Sequence, residues 1–230
     1  MNPVMLPTQP DHFPEQACSF ALEGPAGKLE TISDVALPEE ARRGTAIICH
    51  PHPLQGGTMH NKVVTMVERA LRESGLDTVR FNFRGTGESE GTYDHGNGEG
   101  DDLAAVASWV RRLRPGDALW LAGFSFGSYV SIRNTVRLHA DALISIAPPV
   151  ARRHYEFDAI PLPSCPWLVV MGESDEVVDP QAVFDWIDSL RRKPELVRMP
   201  DTGHFFHRRL MDLRGAIKHV VQDWLPPLRG

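Results

Sequence analysis

The sequence predicts an α/β protein, a mostly parallel sheet with helices packed on it. Three observations carry that reading. Short apolar runs of strand length alternate with longer stretches whose apolar residues recur at helical spacing. The 230 residues, 42% hydrophobic and 23% charged, suit one large domain with a sizeable core. No repeat, low-complexity tract or interior linker divides them.

Residues 1–16 carry Pro3, Pro7, Pro10 and Pro14 and are expected to form an extended or loosely attached lead-in to a single domain over 17–230. Strands are expected at about 18–23 and 28–36, joined by a turn at Gly24-Pro25-Ala26-Gly27 as an antiparallel hairpin. Thr45–His50 reads as a short buried strand. Residues 61–74 place Val63, Val67, Ala70 and Leu71 on one helical face and stop at Gly75. A strand over 77–83 leads into a glycine-rich, acidic loop that runs to Gly100. The next helix carries Leu103, Val106, Val110 and Leu113, with Asp101 and Asp102 in the turn where the helix dipole favours anions. Then come a strand (118–124), a helix (126–138) and a strand (142–147). An irregular, proline-rich stretch follows over 148–165, and its Arg152, Arg153, His154, Glu156 and Asp158 make it polar. A strand (167–171), a helix (180–190), a strand (195–199) and a last helix (about 207–225) complete the chain.

The net charge of −6, with ten of the 24 basic residues in five scattered adjacent Arg-Arg pairs, gives no footprint for nucleic acid. No apolar run is long enough to span a membrane, and the first residues lack the pattern of a signal peptide. Cys18, Cys49 and Cys165 are too few and too far apart for a disulfide framework. The expectation is a soluble, cytoplasmic protein, monomer or homodimer, with reduced thiols.

In an open α/β sheet function gathers in the loops at the C-terminal ends of the strands. Gly123-Phe124-Ser125-Phe126-Gly127 lies in such a loop, after an apolar strand and at the start of a helix. That is the context of a nucleophile elbow: serine on a tight strand-to-helix turn, glycines where the elements approach. A serine needs a base, and His204 follows the last strand, at the same sheet edge. The imidazole needs a carboxylate to fix its tautomer. Asp175 follows the strand ending at 171, and Asp179 is the alternative, although its place before Pro180 also suits a helix N-cap.

An acyl-transfer site also needs amide donors for an oxyanion. Phe126, next after the serine, is one candidate. In the loop after the strand 45–50, Pro51 and Pro53 have no N–H, so His52 is the second. His50, His52 and His60 do not make a metal site: no carboxylate or thiolate converges on them, and Cys49 alternates to the other face of its strand. Arg84-Gly85-Thr86-Gly87-Glu88-Ser89-Glu90-Gly91 is no dinucleotide fingerprint, because the spacing is wrong, no helix opens there and Glu88 and Glu90 would repel a pyrophosphate.

From about residue 17 to 226 the chain resembles the α/β-hydrolase superfamily. The stations are His50–Lys62 (H-P-H-P-x-x-G-G-T-M-x-N-K), Arg80–Ser89, Gly123–Gly127, Gly172–Val178 and Thr202–Phe206, in that order. More narrowly it is similar to small bacterial predicted serine hydrolases with that first segment; many relatives have His-Gly where this chain has His50-Pro51. The resemblance implies a mainly parallel eight-stranded sheet with a minimal cap or none. It implies a Ser125–Asp175–His204 triad, no metal or organic cofactor, and a small-molecule acyl substrate. The polar, proline-rich stretch 148–165 offers little apolar area for a long acyl chain, so a short-chain soluble ester is expected. A thioesterase, small peptidase or lactonase would use the same triad, and a non-catalytic binding protein would share the fold.

Overall fold

The computed structural model describes residues 6–150 and 155–230. Eight strands form one sheet: β1 (Cys18–Gly24), β2 (Gly27–Asp34), β3 (Gly44–Cys49), β4 (Asp77–Phe81), β5 (Ala118–Phe124), β6 (Ala142–Ile146), β7 (Trp167–Gly172) and β8 (Glu195–Met199). Their spatial order is β1-β2-β4-β3-β5-β6-β7-β8. β1 and β2 form the expected antiparallel hairpin, Leu22 opposite Leu29, and β2 also runs antiparallel to β4. All other neighbours are parallel. β3, β6 and β7 are buried along their whole length, which explains why they read as continuous apolar runs.

Five helices flank the sheet: α1 (Lys62–Arg72), α2 (Asn97–Leu113), α3 (Phe126–Thr135), α4 (Pro180–Ser189) and α5 (Leu210–Val221). The step from β3 to β4 runs one way along the sheet, whereas those from β5 to β6 and β7 to β8 run the other way. Right-handed crossovers therefore put α1 on one face and α3 and α4 on the opposite one. α5 returns to pack beside α1, and α2 packs beside α3. The crossovers diverge between β3 and β5, and that divergence opens a crevice at the strands' C-terminal ends. No helix among the described residues is long and apolar enough to cross a membrane.

Local chemistry sets the boundaries. Asn61 caps α1 by accepting from the Val63 amide at 2.8 Å. The chain then turns at Gly75 (φ 93°), where a Cβ would lie 2.3 Å from the Glu40 carbonyl. The last helix starts at Leu210, three residues later than the sequence pattern suggests, because Phe206 and Arg208 take positive φ.

The lead-in is fastened from Pro7 onward. The Ala21 amide donates to the Pro7 carbonyl at 2.8 Å, and the buried Phe13 ring lies 5.4 Å from that of Trp109. This burial of one aromatic, and not the prolines, decides how the segment lies. Residues 148–165 hold no α-helix among their described members. Those described members contain a single 3₁₀ turn, Phe157–Ala159, whose Phe157 packs on Trp186, so among the described residues no helical lid covers the sheet edge. Arg152, Arg153 and His154, expected in its polar rim, lie outside the described residues.

At the opposite, N-terminal edge of the sheet, charge does the fastening. Asp77 binds Arg114 at 2.9 Å and Arg229 at 2.8 Å, and Asp117 binds Arg229 at 2.6 Å. Burial alone would lower the Arg229 pKa, but Asp77 and Asp117 outweigh it and raise it.

Candidate active site

Three loops at the C-terminal edge of the sheet bring Ser125, His204 and Asp175 together. Ser125 sits between β5 and α3 at φ 52°, ψ −118°, a conformation that costs a non-glycine residue steric strain. The surroundings leave it no alternative. A Cβ at Gly123 would lie 2.2 Å from the Gly127 carbonyl oxygen, and one at Gly127 would lie 2.3 Å from that of Cys49. Only glycines let β5, α3 and β3 close around the serine. Its amide donates to the Ile146 carbonyl at 2.8 Å, which ties the turn to β6.

His204 follows β8 and is 2% exposed. Its Nε2 lies 3.2 Å from Ser125 Oγ, and its Nδ1 lies 2.7 Å from Asp175 Oδ2. The other carboxylate oxygen of Asp175 accepts from the amides of Val177 and Val178 at 2.8 and 2.7 Å. Held so, the carboxylate fixes the Nδ1–H tautomer, and Nε2 is left to accept the serine proton. The Glu176 carboxylate accepts from the His204 amide at 3.1 Å and holds the histidine's own backbone. Asp179, the alternative acid, caps α4 by accepting from the Gln181 amide at 3.0 Å.

Phe126 and His52 line the same shallow cleft as Ser125, with Pro149, Tyr155 and Val178 among its other walls. The cleft measures about 30 Å³. Phe126 opens α3, so its N–H belongs to the first turn, which has no intrahelical acceptor. His60 is not part of the cleft, and no set of metal ligands exists among the described residues.

Residues 45–222 match the family of the alpha/beta hydrolase domain. The chain belongs to that family. It is similar to the crystal structure of a Xanthomonas campestris α/β serine hydrolase without a lid: 54% identity, TM-score 0.91, covering 96% of this chain and all of that one. It is similar to an α/β serine hydrolase homologue from Coxiella burnetii at 44% identity and TM-score 0.86, over 91% of this chain and 99% of the other. An uncharacterized protein of Rickettsia prowazekii (strain Madrid E) shares 30% identity over 86% of each chain.

Two site residues of this α/β hydrolase escape a reading by sequence. His50 is fully buried. Its Nε2 accepts from the Phe83 amide at 3.0 Å and its Nδ1–H donates to the Pro51 carbonyl at 2.7 Å, so it joins the β3 loop to the β4 loop. Burial pushes its pKa down to about 4, and the ring stays neutral. Tyr93 is the second. The Leu54 amide donates to His52 Nδ1 at 3.2 Å, so His52 carries its proton on Nε2 and donates it to the Tyr93 hydroxyl at 3.1 Å. Tyr93 is delivered by the glycine-rich loop. Buried Glu99 anchors that loop by accepting from the Asp94 and Gly96 amides at 2.8 and 2.7 Å, and Asp102 anchors it by pairing with Arg84. The motif that resembles a nucleotide fingerprint is a frame for the tyrosine that packs against His52 and Phe126. Beside it, burial pushes the Cys49 thiol up to about 12, which leaves it inert.

Proposed function

We propose that this α/β hydrolase is a serine hydrolase, a carboxylesterase acting on small, short-chain soluble esters. Within the family we place it among the small bacterial hydrolases that share the His50–Lys62 segment. The observation that carries the proposal is the unbroken hydrogen-bonded series Asp175–His204–Ser125, with the serine on a strained turn at the head of a helix. The description of the Xanthomonas relative as a serine hydrolase without a lid agrees with it.

In this reading Ser125 Oγ attacks the ester carbonyl while His204 Nε2 takes the hydroxyl proton. Asp175 stabilises the imidazolium. The N–H groups of Phe126 and His52 hold the oxyanion. The tetrahedral intermediate collapses, the C–O bond to the alcohol breaks, and His204 returns the proton to the leaving oxygen. Water, with His204 again as base, then frees the acid and restores Ser125. Apart from the ester and water, every group named in these steps belongs to the chain.

The acyl length follows from space. The cleft of about 30 Å³ beside Ser125 is shallow and covers only the first carbons of an acyl group, so a longer chain runs out into water. Each further methylene would gain only about 0.8 kcal/mol, and only where an apolar wall covers it. Two measurements test the proposal. A fluorophosphonate should label wild type but neither Ser125→Ala nor His204→Ala, and equal labelling of wild type and Ser125→Ala would remove the triad. On p-nitrophenyl esters, efficiency should fall beyond roughly C6 with no jump at the micelle point. Efficiency still rising at about C12 would overturn the short-chain reading.

A further inference from the structure

We infer that the alcohol side of the substrate is a neutral, polyhydroxylated group such as a sugar, bound in a second cavity beside Ser125; this rests on the esterase reading above. The cavity measures about 470 Å³ and is lined by His95, Asn97, Tyr129, Arg133 and Glu156, with Ile160 on its apolar side. That is a normal size for a small-molecule site, and far larger than the acyl cleft. The two spaces share a partition. Tyr155 lines the cleft, and its ring lies 4.5 Å from that of Tyr129, which lines the cavity. Tyr129 and Arg133 follow Ser125 along α3 by one and two helical turns, a rise of about 6 and about 12 Å. In this inference the alcohol side passes the edge of the Tyr155–Tyr129 pair and carries its hydroxyls toward Tyr129 and Arg133.

Charge selects the ligand class. Arg133 reaches only the Tyr129 hydroxyl, at 3.5 Å, and neither it nor Glu156 makes an ion pair with a described residue. An anionic ligand would meet Glu156, with Asp94 and Glu99 close behind at the start of α2. Their carboxylates already take the amides that would otherwise attract it. A cation would meet Arg133. A neutral polyol satisfies all of them: guanidinium and carboxamide donate, the Glu156 carboxylate accepts, and aromatic carbon faces the C–H groups. In the reaction the bond between acyl carbon and sugar oxygen breaks, His204 protonates that oxygen, and water releases the acid, so an O-acetyl sugar gives acetate and free sugar.

The test compares 6-O-acetylglucose with ethyl acetate, which share an acyl group and differ in the alcohol. Wild type should prefer the acetyl sugar in kcat/KM by roughly tenfold or more, and Arg133→Ala and Glu156→Gln, both surface-exposed positions, should each cut that preference by roughly tenfold. Hydrolysis of simple acetates with no preference for the sugar, or a preference that both variants leave intact, overturns this inference alone. Failure to cleave any ester, together with an unlabelled Ser125, overturns the esterase reading and this inference with it.

Discussion

The two edges of the sheet both bury aspartates, and they use them differently. At the N-terminal edge Asp77 and Asp117 face guanidinium groups, which stay protonated at every accessible pH. The charge there is permanent and the contacts only hold. At the C-terminal edge Asp175 faces the imidazole of His204, whose second ring nitrogen faces the Ser125 hydroxyl. The carboxylate is the same and the partner differs: a guanidinium fastens the fold at one edge, and in the proposed mechanism an imidazole exchanges a proton at the other.

Substitutions can break this contrast, and the largest effect belongs to the site edge. Asp175→Asn should lower kcat by about 10⁴ with the fold intact, since the amide cannot hold the Nδ1–H tautomer. Asp179→Asn should leave kcat nearly unchanged, because it only caps α4. The reverse ranking in ester kinetics would move the acid's role. At the other edge Asp77→Ala leaves Arg114 without its carboxylate and Arg229 with Asp117 alone, and should cost about 1.5–3 kcal/mol of stability by urea unfolding. Its kcat per folded molecule should hold, and a matching loss of kcat would show the edges to be coupled.

A smaller, pH-dependent effect sharpens the comparison. His50 stays neutral in the fold down to about pH 4, whereas its unfolded pKa is near 6.5. Between those values the unfolded chain binds more protons, so stability is full above 6.5 and is lost as pH falls toward 4. Stability at pH 5 should be about 2 kcal/mol below that at pH 7 through this group, and His50→Asn should flatten that share of the slope. An unchanged slope in the variant would mean that the ring is not the proton acceptor.

The sequence made the elements and the trio of Ser125, Asp175 and His204 legible for one reason. Each of the three follows a parallel strand by a few residues, and parallel strands deliver such positions to a common edge. The two candidate acids differed only in what they bond, and that is tertiary. Tyr93 stayed hidden because its loop has no periodicity, and its anchors, Glu99 and Asp102, look like ordinary acids at the start of a helix. His50 stayed hidden because its partner amide, Phe83, lies in another βα unit. Phe13 shows the same limit at the start of the chain, where prolines suggested looseness and a distant Trp109 supplied the contact.

The missing lid bears on time. Among the described residues no α-helix covers the cleft, so no helical lid has to close over it and no binding energy is spent on ordering one. Substrate arrives and product departs by diffusion alone, and water reaches the acyl-serine as freely as any alcohol does. Hydrolysis should therefore prevail over acyl transfer, and kcat should be indifferent to added viscogen. A turnover number that falls in proportion to viscosity would reveal a motion still hidden in this open edge.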